Sequence, residues 1–194
     1  MMSRYIARCA ITTLCVLCLF LPAIVSAQAT QDIALTELVK GRAVALVRHA
    51  NAPGLGDPSG FRIGDCTTQR NLSQEGRDQA GRIGEFFRRK GIKEASVYSS
   101  QWCRCLETAR LLALGPVKEL PALNSFFEDR STDEAQTKQI REFITSLPTG
   151  KPHIMVTHQV NITALTDIVP LSGEIIIFQL TQDGQGKVLG KYTP

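Results

Sequence analysis

The chain has 194 residues, of which 43% are hydrophobic and 21% charged, and a formal net charge of +4. That length suits one globular domain, and the ordinary apolar and charged fractions argue against disorder. The mild basicity comes with no basic stripe interleaved with aromatics, so nucleic acid is not an expected partner.

The first element is not part of the fold. Arg4 and Arg8 are the only charges in residues 1–27, and Cys9 to Val25 is nearly all apolar before Val25-Ser26-Ala27. A short basic start, an apolar run and a small-residue exit read as a secretory signal peptide. Cleavage is expected at Ala27–Gln28, with Ala29–Thr30 as the alternative bond. An uncleaved membrane anchor is the competing reading, because the run approaches the minimum for a membrane span. Cleavage leaves residues 28–194 as one domain without stable membrane insertion, located in the periplasm or secreted. It removes two arginines and takes the formal charge from +4 to about +2.

Residues 32–40 have the period of a short amphipathic helix. Ala43–Val47 is an apolar run of strand length. Residues 50–66 are rich in Gly, Pro and Asp and form a loop. Ser73 caps a helix with Glu75 in its first turn; Ala80, Ile83, Phe86 and Phe87 make its apolar stripe and Gly91 ends it. Ala95–Tyr98 reads as a second buried strand and 102–114 as a helix. Val117–Leu120 reads as a short strand. A helix over 132–147 follows, with Ile140, Phe143, Ile144 and Leu147 inward. His153–Val156 is a third clear strand, 160–168 a helix, and Glu174–Leu180 a β-branched strand entering an edge hairpin over Asp183-Gly184. Strands alternating with helices predict an α/β fold, a three-layer α/β/α sandwich on a mainly parallel sheet.

In such sheets ligands bind beyond the carboxyl ends of the strands. The first strand ends at Arg48-His49, the second at Ser99-Ser100 shortly before Arg104, and the third at Thr157-His158. Two arginines and two histidines on one sheet edge suit a phosphoryl group. Guanidinium is always charged and offers a planar fork to two oxygens. A neutral imidazole can carry a phosphoryl group covalently, and a second, protonated imidazole can hold the equatorial oxygens. That division requires surroundings that separate the two pKa values, and flanking arginines favour a neutral His49. Taken singly, each residue has a plainer reading as a polar strand end or solvated charge. His153, at the start of its strand, fits the plain reading; the convergence of the others argues against it.

The motifs carry a resemblance to a known family. Val44–Ala50 (VALVRHA) resembles the strand plus Arg-His-Gly signature of the histidine phosphatase superfamily, in its phosphoglycerate-mutase-like branch. Asn71–Ala80 (NLSQEGRDQA) is similar to the start of its next helix, Tyr98–Ala109 (YSSQWCRCLETA) to its Ser-Ser…Arg…Thr-Ala block, and Val156-Thr157-His158 to its late histidine motif. The blocks occur in the family's order and cover residues 43–180. The resemblance implies His49 as the phosphorylated nucleophile, with Arg48, Arg104 and His158 as the phosphate pocket. It implies no metal or organic cofactor. Ala50 and Gln159 stand where the family usually has glycine. Leu123-Asn124-Ser125 stands where a carboxylate is usual, leaving Glu128 as the first candidate proton donor, then Asp129, then Glu174.

The expected function is an exported phosphatase that hydrolyses a phosphomonoester, small or lipid-linked, through a phosphohistidine on His49. A mutase and a weakly active or inactive phosphate-binding relative are the alternatives. The glycines of 51–65 allow that loop to fold over a substrate, and Trp102, Phe126 and Phe127 could line an apolar part of the site or simply pack.

Three cysteines lie beyond the signal segment. Cys103-x-Cys105 is too tight for a zinc pair and no second pair follows. Cys66 ends the loop after the nucleophile, and Cys103 and Cys105 flank Arg104 on a segment opening into the same cleft. Export permits oxidation, so a Cys66–Cys103 disulfide is expected, with Cys66–Cys105 as second choice and three reduced thiols as the alternative.

Overall fold

In the computed structural model of the protein, residues 33–181 and 184–194 are described. The expected signal segment and Asp183 of the expected hairpin lie outside them. Six strands, β1 (Val44–Arg48), β2 (Ser96–Ser99), β3 (Val117–Glu119), β4 (His153–Thr157), β5 (Ile175–Leu180) and β6 (Gly186–Tyr192), form one sheet in the order β3-β2-β4-β1-β5-β6. The first four run parallel; β5 is antiparallel to β1, and β6 to β5. The described helices are α1 (33–39), α2 (Gln74–Arg89), α3 (Cys103–Leu111), α4 (Asp133–Ser146) and α5 (Gln159–Thr166).

Alternation along β1 explains the layers. Ala45 and Val47 point into a core with Leu38 of α1, Ile83 and Phe87 of α2, and Ala109 of α3. Val44 and Leu46 point the other way, onto Ile140 of α4 and Ile162 and Leu165 of α5. A strand buried on both faces must be apolar throughout, which is why β1 reads as a continuous run. The expected α/β/α sandwich is therefore the fold.

Local signals act as the sequence suggests. The Ser73 side chain accepts from Gly76 N at 3.0 Å, capping α2. Gly91, at φ +83°, ends the helix in the left-handed region. Gly76 has a second role: a Cβ there would collide with the carbonyl of Asn51, so only glycine lets α2 pack on the backbone shortly after β1. Helix α3 is shorter than its pattern predicts. It stops at Leu111, and Ala113 turns into the left-handed region at φ +52°.

Cys66 and Cys103 form a disulfide with Cα atoms 5.7 Å apart across 37 residues. Cys105 is free and buried. The bridge fastens the end of the glycine-rich loop to the first residue of α3, next to Arg104. Closing a loop of this size in the unfolded chain stabilises the fold by roughly 2–4 kcal/mol. Replacing both bridge cysteines by serine should lower unfolding stability by about that amount. Chemical denaturation checks this, and an unchanged midpoint would refute a stabilising bridge.

Candidate active site

Strand order places β4 between β1 and β2, so three parallel strands release their chains side by side. His49 N donates to Thr157 O and Ser100 N to Val156 O, continuing the ladder one step past the strand ends. The ladder therefore brings His49, His158 and the segment leading to Arg104 to one edge. Together they line a cavity of about 270 Å³, joined by Arg48, Arg70 and Asp57. His49, Arg104 and His158 are each only 3% exposed. The two imidazoles meet edge to face with centroids 5.5 Å apart.

Hydrogen bonds fix the state of each ring. His49 Nδ1 lies 2.8 Å from Ala50 O. A carbonyl only accepts, so Nδ1 carries the proton and Nε2 keeps its lone pair. Burial, then the charge of Arg104, with smaller effects from Arg48 and Arg70, lower the His49 pKa to about 3, against a raising effect of the Ala50 bond. His49 is neutral throughout the physiological range. In His158, Nδ1 faces Arg104 Nη2 at 3.4 Å, and Nε2 lies 2.9 Å from Ser100 Oγ. The guanidinium must donate, so Nδ1 accepts and Nε2 donates to the hydroxyl. Ser100 Oγ in turn donates to Asn124 Oδ1.

Here the structure departs from the sequence reading, which assigned His158 a positive charge. Burial first, then Arg104 and the neighbouring His49, hold its pKa well below the ordinary value. Both histidines are neutral in the free protein. An arriving phosphate dianion supplies the opposite charge that Arg104 denies, and so favours the imidazolium.

Two members of the site escaped the sequence reading. Asp57 comes from the glycine-rich loop and receives three donors: Arg104 Nη1 at 2.8 Å, Arg70 N at 3.0 Å and Trp102 Nε1 at 3.0 Å. Burial raises its pKa, but the bonds from Arg104 and Arg70 N, the Arg104 charge and the Trp102 bond outweigh this and hold it below the usual range. Arg70 folds the loop inward by donating from Nε to Gly56 O at 2.7 Å and from Nη1 to Ala52 O. Burial and the nearby Arg104 lower the pKa of both Arg70 and Arg48. No local motif marks Asp57 or Arg70. Asp57-Pro58 reads as a turn, and the partners are brought in by the fold.

Arg48 donates from Nη1 to Pro170 O at 2.8 Å. The Nε atoms of Arg48 and Arg104 are buried with no hydrogen-bond partner among the described residues. A buried donor without an acceptor is costly, and an oxyanion in the cavity would supply acceptors to these guanidinium groups. The first residues of α5, Gln159 and Val160, also line the cavity, adding the positive end of a helix.

The candidate proton donors separate. Glu128 lines the cavity and its Oε1 accepts from Asp57 N at 3.3 Å. Asp129 also lines it, but its carboxylate caps the following turn by accepting from Ser131 N and Oγ, and these bonds lower its pKa. Glu174 lies outside the cavity lining and accepts from Leu171 N at 2.7 Å. Trp102 and Phe127 line the cavity, whereas Phe126 packs in the interior with Arg130 over its ring. The buried Cys105 sulfur is 3.4 Å from His158 Nε2, and burial pushes its thiol up to about 12.

Two measurements test this arrangement. In the unfolded chain each imidazole returns to a pKa of about 6.5, so at acid pH the unfolded state binds more protons than the folded one. Stability should fall as pH drops below about 6.5, by up to roughly 1.4 kcal/mol per pH unit for each buried histidine. Removing His49 as His49→Asn should make that slope shallower in denaturation series at several pH values; an identical slope would contradict the burial. Asp57→Asn should lower thermal stability by loss of the charge-assisted bond, by roughly 1–3 kcal/mol. The same change should tighten inorganic phosphate binding, because a carboxylate no longer competes for Arg104. Calorimetry that finds weaker phosphate binding would refute the competition.

A family model described as the histidine phosphatase superfamily (branch 1) matches residues 44–143. No curated protein matches the chain. Among solved structures, the protein histidine phosphatase SixA complexed with tungstate is 15% identical with a TM-score of 0.56, covering 78% of this chain and 97% of that one. A phosphoserine phosphatase from Entamoeba histolytica, in complex with 3-phosphoglyceric acid, is 16% identical with a TM-score of 0.58, covering 78% and 97%. A mycobacterial glucosyl-3-phosphoglycerate phosphatase in complex with VO3 is 15% identical with a TM-score of 0.54, covering 76% and 96%. At these identities the likeness is one of fold.

Proposed function

The chain belongs to the histidine phosphatase superfamily (branch 1), and from that premise we propose that it is an exported phosphatase that hydrolyses a phosphomonoester through a phosphohistidine on His49. The observation that carries this reading is the His49 tautomer: a buried, neutral imidazole with Nδ1 committed to Ala50 O and Nε2 left unprotonated beside three guanidinium groups.

The reaction runs in two halves. His49 Nε2 attacks phosphorus and the ester P–O bond breaks. The leaving alkoxide takes its proton from Glu128, which lines the same cavity. A water then attacks the phosphohistidine, giving its proton to the Glu128 carboxylate, and the N–P bond breaks to release phosphate and restore His49. Charge spreads over the equatorial oxygens in each half, and Arg48, Arg104 and an imidazolium at His158 stabilise it. Asp57 acts through Arg104 by holding its guanidinium. The proton donor favours an enzyme over a passive binder, because an alkoxide leaving group needs that proton whereas binding does not.

Export rests on residues 1–27 and is supported by the Cys66–Cys103 bridge, since disulfides persist in oxidising compartments. No described helix is long and apolar enough to cross a membrane.

Turnover of 4-nitrophenyl phosphate by the mature chain tests the proposal. His49→Ala should abolish it, and acid-quenched wild-type protein should carry phosphate on His49. Glu128→Gln should slow an alkyl phosphate far more than the aryl ester, whose leaving group needs little protonation. Substantial turnover by His49→Ala would overturn the mechanism.

A further inference from the structure

The floor and the walls of the cavity differ in chemistry. The cations that line it are Arg48, Arg70 and Arg104. All are tied at the floor: Arg48 to Pro170 O, Arg70 to Ala52 O and Gly56 O, Arg104 to Asp57. Beside them, Leu55 and Phe61 of the glycine-rich loop, Trp102, Phe127 and Val160 form an apolar wall, with the polar side chains of Ser125 and Gln159 also in the lining. Leu55 is 86% exposed and Phe127 45% exposed, so two large apolar side chains stand at the mouth. Exposed apolar groups clustered at a cleft mark a surface that contacts something apolar. Ring contacts lead inward from that wall: Phe61 lies 5.3 Å from Trp102, and Trp102 lies 5.4 Å from His158.

The charged groups at the mouth are Glu128 and Asp129, both exposed. The nearest cations by sequence are engaged elsewhere. Arg62 pairs with Asp65, and Arg130 lies over Phe126; neither lines the cavity. A carboxylate or second phosphate on the leaving group would therefore meet Asp129 and the proton-donating Glu128, with no cation among the described lining residues beyond the three arginines that hold the phosphate.

From this we propose that the site selects phosphomonoesters of uncharged, apolar alcohols, with Leu55, Phe61, Trp102 and Phe127 as the specificity-determining wall. The phosphate binds the arginine floor and the carbon skeleton lies along the wall. Sugar acids, phosphorylated amino acids and bisphosphates are excluded by the acidic mouth. The inference rests on the phosphatase reading for the orientation of the ester.

Straight-chain alkylphosphonates from ethyl to octyl test it, because their P–C bond is not hydrolysed and binding is read without turnover. Calorimetry on the wild-type mature protein should show Kd falling by about fourfold per methylene, the increment for a buried CH2. Leu55→Ser and Phe127→Ser, made singly, should each flatten that dependence on chain length. 3-Phosphonopropionate should bind at least about ten times more weakly than propylphosphonate, since its carboxylate faces like charges. A Kd independent of chain length, no measurable binding of octylphosphonate, or a carboxylate analogue that binds as well as propylphosphonate would each overturn the proposal. Failure of the phosphatase reading registers separately, as absent turnover of 4-nitrophenyl phosphate, and leaves the chain-length result interpretable.

Discussion

The ion pair between Arg104 and Asp57 is the interaction on which the site depends. Both side chains are nearly excluded from solvent, at 3% and 6% exposure, so neither charge could remain there alone. Asp57 arrives from the loop after β1, and Arg104 from the first turn of α3. Their union closes that loop over the strand ends, and Trp102 and the backbone of Arg70 join at the same carboxylate. The Cys66–Cys103 bridge acts on the same two segments from the other side. One contact is electrostatic and one covalent, and together they hold a glycine-rich stretch that has little regular structure of its own.

The same guanidinium sets the protonation of the histidines. Arg104 follows burial as a cause of the depressed pKa in both rings. Asp57 pairs with Arg104 and lends some of its charge to Arg70, while the described side-chain hydrogen bonds of Arg48 and Arg70 go to carbonyl oxygens. The floor thus keeps an excess of positive charge beside two buried imidazoles, which keeps both of them neutral and favours binding of a dianion. For His49 neutrality is what attack requires. For His158 it means that the charged form arises with the ligand rather than before it.

The legible part of the molecule was the part with periodicity. β1, β2, β4 and the capped helix α2 stand where apolar runs and Ser73 placed them, and three strand ends brought Arg48, His49, Arg104 and His158 together as expected. The disulfide was legible for a similar reason, since both segments had to enter one cleft. Asp57 and Arg70 were not, because a loop residue's partner is chosen by tertiary closure, which leaves no period in the sequence. The neutral state of His158 in the free protein was not legible, because residue identity reports an ordinary pKa, whereas burial beside Arg104 lowers it. Phe126 and Phe127 show the limit in a single dipeptide: one residue is buried in the interior and the other lines the cavity, and adjacent identical side chains cannot be told apart without the backbone path.

The apolar wall and the cationic floor are physically coupled. Coulomb interactions strengthen as water is excluded, so Trp102 and Val160 around the pocket increase the influence of Arg104 on the imidazoles as well as on a phosphoryl group. Replacing that wall with polar groups would admit water, and would weaken the discrimination between neutral and charged histidine that the reaction uses. A site built to hold His49 neutral therefore tends to be built with apolar surroundings. On the proposed reading, selection for an apolar leaving group would follow from the same side chains that keep His49 neutral, with Asp129 and Glu128 in the lining disfavouring anions.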